Sequence, residues 1–233
     1  MKSYVCVLST DNYLDGVLVL NENLQRIKSN YPLLCIINEN ISAKTRNILT
    51  YFGIMYKEMK NIKYSENSNS ERYGNYGYNK GYLKNTFDKL NIFSLVEFEK
   101  IVYLDSDLLI LENIDNLFNY PHLSCPRDLP FNMTKFNSGV MVLEPNIDDF
   151  KELKERAIEA SKENRKISDQ DIINEYFLDK ITPLDYGYNM VREISEVYVS
   201  YFDGVFKCPI NRRGVGYFLE NTPENKIIHY IGK

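Results

Sequence analysis

The sequence predicts a single α/β domain with a Rossmann-like, mixed but mostly parallel central sheet flanked by helices. The 233 residues, 44% of them apolar, suffice for one substantial core and are too few for two ordinary domains and a linker. Several short apolar runs lack polar alternation, which is typical of strands buried on both faces. These runs alternate with segments of helical periodicity, and right-handed crossovers fold that order into a parallel sheet.

The amino-terminal part of the chain carries this pattern most clearly. Residues 4–8 form an apolar run that stops at polar residues, as a buried strand would. After Gly16, one helical face collects the apolar residues Val17, Leu20, Leu24 and Ile27. A strand at Leu33–Ile37, a helix that Ser42 can cap and an extended segment at 54–56 complete a β-α-β-α-β unit.

Residues 60–79 interrupt the pattern with a polar stretch that predicts a loop. Four tyrosines lie in it: Tyr64, Tyr73, Tyr76 and Tyr78. Aromatic rings could stack on sugars or bases, and a partly ordered surface loop would accommodate them equally well. Both interpretations stay open at this point.

The rest of the chain alternates strands and helices less regularly. Up to residue 118 we predict a helix at 83–90, a buried strand at 101–104, an extended segment at 108–111 and a helical turn at 114–118. A strand follows at 136–143, and then a helix with Phe150, Leu153, Ala157 and Ala160 on one face. The last predicted elements are a helix that begins near Ser168 and a strand at 227–233.

Composition excludes several classes of function. The formal charge is −4 and no basic face is evident, so nucleic acid is not an expected partner. No apolar run approaches the roughly 18 residues of a membrane span, so none is predicted. The four cysteines, Cys6, Cys35, Cys125 and Cys208, show no CxxC spacing. Buried free thiols fit a reducing compartment, and a cytoplasmic location is predicted.

Two carboxylates and one imidazole are the candidate metal ligands. Asp105 and Asp107 flank Ser106 at the carboxyl end of a predicted buried strand, where α/β sheets bind ligands. Alternatively, the two aspartates cap a turn. His229 ends a strand, and it is either a third ligand or a hydrogen-bonded core histidine. If all three converge, the mixed set favours Mn²⁺, although Mg²⁺ is possible.

These motifs, taken in order, resemble the glycogenin-like retaining glycosyltransferases of family 8, which have a GT-A fold. The resemblance runs through nearly the whole chain. The matching segments are 8–13 with Gly16, Lys89 with Leu90, 103–107 with its DxD motif, 114–118, 136–140, Asp169 with Gln170, Tyr188 with Asn189, and 229–232. The family organisation implies a nucleotide-binding half at 1–110 and a half that binds sugar and acceptor at 111–233.

The resemblance implies a Mn²⁺-dependent enzyme that transfers a hexose, with UDP-glucose the favoured donor, to a carbohydrate or protein acceptor. Asp105, Asp107 and His229 would hold the metal. Asp169, Gln170 and Lys89 would serve catalysis. The remaining implied donor-binding residues are Leu8, Thr10, Asn12, Tyr13, Lys80, Ser106, Asp128, Asn137, Ser138, Gly139, Gly232 and Lys233.

Each of these roles has a structural alternative. Asp169 could cap a helix after Ser168, residues 137–139 could form a plain turn, and Lys80 could be a solvated lysine. Retention of anomeric configuration comes from the resemblance alone. Since no residue presents itself as a clear nucleophile, attack by the acceptor on the same face as UDP departs is the favoured hypothesis.

At its carboxyl terminus the sequence departs from the family's usual pattern. The family usually continues past its histidine motif to a second lysine followed by Pro-Trp, whereas this sequence stops at Lys233 and contains no tryptophan. Either Lys233 serves two positions early or the sequence is a shorter piece. A protein that binds UDP-sugars with weak catalysis is therefore the alternative function, and a nucleotidyltransferase ranks below it.

The acceptor and the oligomeric state are less defined. Self-glucosylation would use a tyrosine, and Tyr198 and Tyr201 lie in roughly the matching region, though not at the family's spacing. A homodimer is possible.

Overall fold

A computed structural model describes residues 1–62, 86–128, 132–163, 165, 167–177, 179–191 and 226–230. Several predicted functional residues lie outside this part of the chain: Lys80, Gly232, Lys233, the four tyrosines between 60 and 79, Tyr198 and Tyr201. Within the described residues, no helix combines the length and the apolar character needed to cross a bilayer.

The amino-terminal half of the sheet is parallel, as predicted. Its strands are β1 (Lys2–Leu8), β2 (Leu33–Ile37), β3 (Met55–Glu58) and β4 (Lys100–Leu104), and they lie in the order β3-β2-β1-β4. The central strands are almost wholly buried because both faces are covered, which explains their unbroken apolar sequences. The carboxyl ends of these strands form one edge of the sheet, where a ligand site is expected.

Two helices in this half also follow the predicted pattern. Helix α1 (Leu14–Arg26) buries Val17, Leu20 and Leu24 against the core. Helix α2 (Ala43–Tyr51) begins after Ser42, whose hydroxyl accepts a hydrogen bond from the Thr45 amide at 3.2 Å. A capping hydroxyl satisfies one of the amides that the first turn leaves without a helical partner.

Beyond β4 the sheet continues with strands that the sequence did not fully predict, and these pair antiparallel except for β9, which pairs parallel with β6. Strand β8 (Val140–Leu143) pairs antiparallel with β4, and β6 (Ser124–Asp128) joins it to β7 (Asn132–Phe136) and to β9 (Thr182–Leu184). Strand β6 has the sequence SCPRD and is mostly buried. Its proline and two charged residues are uncommon in strands, so the sequence does not indicate a strand there.

The continuous strand predicted at 136–143 is wrong in one respect. The structure breaks it at residues 137–139 between β7 and β8. The Asn137 side chain accepts a hydrogen bond from the Gly139 amide at 2.8 Å, which favours a turn over the sheet ladder. This turn lies beside the carboxyl end of β4.

The helices of the second half cover the sheet. Helix α3 (Ile147–Lys162) buries Leu153, Ala157 and Ala160, and helix α4 is Asp169–Phe177. Of the helix predicted at 83–90, residues 83–85 lie outside the described residues, residue 86 is α-helical, and a 3₁₀ helix follows at Phe87–Ser94. It still buries Phe87 and Leu90, because both lie on the face that meets the core.

A second, three-stranded sheet places the end of the chain beside the carboxyl edge of the main sheet. Strand β11 (Ile227–His229) lies between β10 (Met190–Val191) and β5 (Leu108–Ile110). Of the strand predicted at 227–233, residues 227–229 form β11, Tyr230 follows the strand, and residues 231–233 lie outside the described residues. The division into halves at residue 110 stays a prediction.

Candidate active site

Asp105 and Asp107 lie in the turn that follows β4, at the carboxyl edge of the sheet. One carboxylate oxygen of each and one ring nitrogen of His229 lie within 4.8 Å of one another. His229 Nε2 is 3.1 Å from Asp107 Oδ1 and 3.9 Å from Asp105 Oδ2. The predicted convergence of two acids and one imidazole is therefore present in the structure.

The small sheet brings His229 to the acids. Strand β11 pairs antiparallel with β5, so that His229 lies opposite Leu108, the residue that follows Asp107. The Tyr230 amide also donates a hydrogen bond to the Asp107 carbonyl at 3.0 Å. Because β5 begins directly after the acidic turn, the strand pairing sets the distance between the imidazole and the carboxylates.

The donor set fits a divalent cation. His229 is buried, and its Nδ1 lies 2.8 Å from the Asn189 carbonyl oxygen Oδ1, an atom that can only accept a hydrogen bond. The Nε2 lone pair is then left facing the carboxylates, as a metal-ligating histidine requires. Asp107 has 38% of its side chain exposed against 5% for His229, so the carboxylate side of the group is open to a ligand.

Two glycines allow close approaches around this group. A methyl group at Gly16 would lie 2.0 Å from the Ser106 carbonyl oxygen, so helix α1 can pack against the acidic turn because this residue has no side chain. A methyl group at Gly139 would lie 2.5 Å from His229 Cε1. We expected Gly139 to let a donor approach the backbone, and the structure shows that it also accommodates the imidazole.

Lys89 joins the acidic turn to helix α4. Its ammonium lies 3.0 Å from Asp105 Oδ1 and 3.0 Å from Asp169 Oδ2, and it is 3.1 Å from the Ser138 hydroxyl. The Tyr103 hydroxyl donates to the same Asp105 oxygen, and its ring lies below the Lys89 ammonium at 5.1 Å. The partly buried lysine thus compensates two carboxylates that would otherwise repel each other.

The residues predicted to line a sugar pocket form one hydrogen-bonded cluster next to Lys89. Gln170 Oε1 accepts from the Ser138 amide at 3.1 Å, and Asp169 Oδ2 accepts from the Ser138 hydroxyl at 3.1 Å. Asn137 Nδ2 donates to Asp128 Oδ1 at 2.9 Å. Burial raises the pKa of Asp128 above its ordinary value. The structure therefore places Asp128 beside the turn at 137–139.

Three of the structural alternatives can now be compared with the geometry. Ser168, not Asp169, caps helix α4, since its hydroxyl accepts from the Asp171 amide at 3.2 Å. The carboxylate of Asp169 instead faces Lys89 and Ser138. Residues 137–139 do form a turn, and two of their side chains also bond carboxylates: Asn137 bonds Asp128, and Ser138 bonds Asp169. His229 is hydrogen-bonded in the core through one nitrogen and faces two acids through the other.

The predicted residues near the amino terminus occupy the same edge of the sheet. Leu8 ends β1, Thr10 follows it, and Asn12 and Tyr13 lie in a 3₁₀ helix at Asp11–Tyr13. The pKa of Tyr13 is raised by partial burial and by the negative charges of Asp107 and Asp105, so its hydroxyl lies within electrostatic reach of the acidic turn.

Asp88, which the sequence did not single out, precedes Lys89 and is 2% exposed. Its carboxylate accepts hydrogen bonds from Asn38 Nδ2 at 2.8 Å and from the Ile62 amide at 3.0 Å. Burial raises its pKa. Asp88 therefore ties the end of β2 and the segment after β3 to the helix that carries Lys89.

Sequence reasoning also gave no role to Tyr103, and Asn189 entered only as part of a family motif. Both side chains contact the acidic group or its histidine. Tyr103 lies in β4 two residues before Asp105, and side chains two residues apart along an extended chain point to the same face, which is the one signal that could have identified Tyr103. No local pattern links Asn189 to His229.

Comparisons with known proteins agree with this geometry. The sequence profile described as glycosyl transferase family 8 matches residues 4–122 and 129–233. Galactinol synthase 1 of Solanum lycopersicum is 31% identical over 212 residues, which cover 81% of this chain and 64% of that protein. Glycogenin-1 of Caenorhabditis elegans is 28% identical over 238 residues, which cover 99% of this chain and 49% of that protein. The chain thus spans less than two thirds of the length of these relatives.

A solved structure supports the fold. The galactosyltransferase LgtC, in complex with donor and acceptor sugar analogues, superposes with a TM-score of 0.68 at 17% sequence identity, covering 100% of this chain and 87% of LgtC. This likeness shows a common GT-A fold. The family profile covers both the acidic turn and the histidine strand, and the chain belongs to glycosyl transferase family 8.

Proposed function

We propose that the protein is a Mn²⁺-dependent retaining glycosyltransferase that moves a hexose, with glucose favoured, from a UDP-sugar to a carbohydrate or protein acceptor. The observation that carries the proposal is the convergence of Asp105, Asp107 and His229 at the carboxyl edge of the sheet, with ligand atoms within 4.8 Å of one another. The resemblance to the glycogenin-like family, to which glycogenin-1 adds a relative over nearly the whole chain, is the reason that UDP-glucose is favoured.

The three ligand side chains determine which cation the site would hold. Two carboxylates alone would suit Mg²⁺, whereas a set that includes a neutral imidazole favours Mn²⁺. When bound, such an ion supplies positive charge that stabilises a departing diphosphate. The partly exposed Asp107 would serve as the outer ligand, and the buried His229 as the inner one.

Residues of the turn at 137–139 and of the start of helix α4 would bind the sugar. The Ser138 hydroxyl, the Asn137 amide and the Gln170 amide provide donors and acceptors of the kind that sugar hydroxyls need. Lys89 would hold the Asp105 and Asp169 carboxylates in place and bring a positive charge close to the leaving group. The acceptor hydroxyl would attack on the face from which UDP departs.

The charges around this cluster favour an uncharged sugar. Asp105, Asp128 and Asp169 contribute three carboxylates, and Lys89 contacts two of them. Like charges near a protein surface repel by a few kcal/mol at about 4 Å. We expect UDP-glucuronate to be used with a kcat/KM at least about tenfold lower than UDP-glucose. Equal kcat/KM values in a UDP-release assay would contradict the selection of an uncharged sugar.

The function is tested by a donor screen that measures UDP release. We expect release from UDP-glucose, or from UDP-galactose as the nearest competitor, in the presence of Mn²⁺, and its loss after chelation with EDTA. No UDP release from any UDP-sugar, with Mn²⁺ or Mg²⁺ and with carbohydrate acceptors present, would overturn the proposed activity. Calorimetric binding of UDP in that case would instead support a UDP-sugar-binding protein. Intact mass after incubation with donor reports self-glucosylation.

A further inference from the structure

We infer that Asn189 is a positioning residue that keeps the imidazole of His229 in the tautomer that can bind a metal. The inference deepens the proposed function, because it concerns how the protein prepares one ligand of the metal site. It rests on the position of the Asn189 amide, on the lack of space around the imidazole and on the hydrogen bonds of each ring nitrogen.

The backbone holds Asn189 firmly beside the histidine strand. Asn189 follows a 3₁₀ helix at Tyr186–Tyr188, and its own amide donates to the Tyr186 carbonyl at 2.9 Å. The next two residues form β10, which pairs parallel with β11 so that Val191 lies opposite His229. The side chain of Asn189 is 1% exposed. The amide, one residue before β10, and the imidazole, at the end of β11, are therefore brought together by two neighbouring strands of one small sheet.

The hydrogen bond between these two side chains determines where the proton of the imidazole lies. Asn189 Oδ1 is 2.8 Å from His229 Nδ1, and a carbonyl oxygen can only accept. The neutral ring must therefore carry its proton on Nδ1. Its Nε2 then presents a lone pair at 3.1 Å from Asp107 Oδ1, as a third ligand must.

The alternative tautomer would close the metal site. With its proton on Nε2, the ring would donate to Asp107, because these atoms are already at hydrogen-bonding distance. That bond would occupy both the ring nitrogen and the carboxylate. In a protein without metal, the contact with Asp107 favours this closed form, and the contact with Asn189 favours the open one.

The ring has little freedom to respond in any other way. The space above Gly139 is so narrow that a methyl group there would lie 2.5 Å from His229 Cε1 and 3.0 Å from Nδ1. His229 is also tied to β5 by strand pairing. Because the position of the ring is held by packing, the tautomer is the property that Asn189 controls.

The NH₂ group of the Asn189 side chain does not stabilise the fold through a hydrogen bond among the described residues. Asn189 Nδ2 is buried and has no hydrogen-bond partner among the described residues. A buried donor without a partner costs about 1–3 kcal/mol, and an apolar residue of similar size would avoid that cost. We therefore expect Asn189→Leu to fold, which makes it a suitable test.

The experiment compares wild type, Asn189→Leu and Asn189→Asp in two measurements. The first is Mn²⁺ binding by electron paramagnetic resonance without nucleotide. We expect Asn189→Leu to weaken binding about 10- to 100-fold, the range found for partners of metal ligands. Asn189→Asp keeps an oxygen that accepts from Nδ1, and we expect it to stay within about threefold of wild type. Equal affinity of wild type and Asn189→Leu would overturn the inference.

The second measurement detects the tautomer itself. The chain has two histidines, so a nitrogen-15 NMR spectrum of histidine-labelled protein, recorded where imidazoles are neutral, contains two rings, and His122→Gln assigns them. We expect a proton on Nδ1 of His229 in wild type and a shift toward Nε2 in Asn189→Leu. A proton on Nε2 in wild type would refute the inference.

This spectrum needs no metal, so the two proposals can fail separately. A wild-type protein that shows the Nδ1 proton but binds no Mn²⁺ would support the role of Asn189 in setting the tautomer and would overturn the proposed metal site. Thermal unfolding of each variant shows whether a weaker affinity reflects loss of the fold.

Discussion

Asp107→Asn is expected to reduce UDP release by at least about a hundredfold and to weaken Mn²⁺ binding to a similar degree. The substitution keeps the shape of the side chain and removes the charge of a carboxylate whose oxygen lies 3.1 Å from His229 Nε2. The loss of one group that stabilises the transition state typically costs 10²- to 10³-fold in rate. UDP release and electron paramagnetic resonance titration with Mn²⁺ measure the two effects.

Asp148→Asn is the matched control for this variant. Asp148 is 83% exposed at the start of helix α3 and forms a surface ion pair with Lys151, so its loss should leave activity and metal binding unchanged. The side chain of Asp107 is 38% exposed, and we expect its variant to unfold at nearly the wild-type denaturant concentration. A fully active Asp107→Asn protein would remove the support for a metal-dependent transferase.

Lys89→Met is expected to affect both stability and activity. The ammonium lies 3.0 Å from Asp105 Oδ1 and 3.0 Å from Asp169 Oδ2, and 11% of the lysine side chain is exposed. Its removal leaves two neighbouring carboxylates without compensation. Breaking a buried ion pair costs about 3–5 kcal/mol, and the partial exposure of Asp105 reduces this to about 2–4 kcal/mol. Urea denaturation without metal measures this change in the free energy of unfolding.

The same variant should lose most of its UDP release even at temperatures where it is folded. Lys89 holds the carboxylates that would face the metal and the sugar, and it carries the positive charge nearest to them among the described residues. We expect kcat to fall at least about a hundredfold. Near-normal kcat, measured on folded protein, would show that Lys89 has a structural role alone.

Lys100→Met provides the comparison for Lys89. The Lys100 ammonium is also mostly buried, and it donates to the Tyr120 carbonyl at 2.7 Å and pairs with the exposed Glu144 at 3.2 Å. It lies at the start of β4, whereas the acidic turn follows the end of that strand. We expect this variant to lose some stability and to retain kcat, so the two lysines separate the effect on folding from the effect on chemistry.

The local elements of this protein were largely predictable. The apolar run Leu33–Ile37 matches strand β2 at both ends, and the stripe from Val17 to Leu24 matches the buried face of helix α1. The acidic turn was expected at the end of a buried strand and lies there. Strand runs and helical periodicity are properties of neighbouring residues, and burial of one face is sufficient to produce them.

The strands beyond β4 were harder to predict. Strand β6 contains Pro126 and Arg127, and its place in the sheet depends on pairing with β8, β7 and β9. The 3₁₀ geometry at Phe87–Ser94 arises where Asp88 must reach the end of β2 while Lys89 reaches the acidic turn. A 3₁₀ helix has three residues per turn and an α-helix has about 3.6. Over so short a segment, the spacing of apolar residues does not distinguish the two.

The sequence by itself determined that Asp105 and Asp107 end a buried strand and that His229 belongs to another strand near the carboxyl terminus. The tertiary structure alone decided that these groups meet, since their distance depends on the pairing of β11 with β5. It also decided that Asn189 bonds Nδ1 and that Lys89 joins two carboxylates. The reason is physical: backbone pairing and close packing join residues far apart in the chain, and neither leaves a periodic signal in the residues around them.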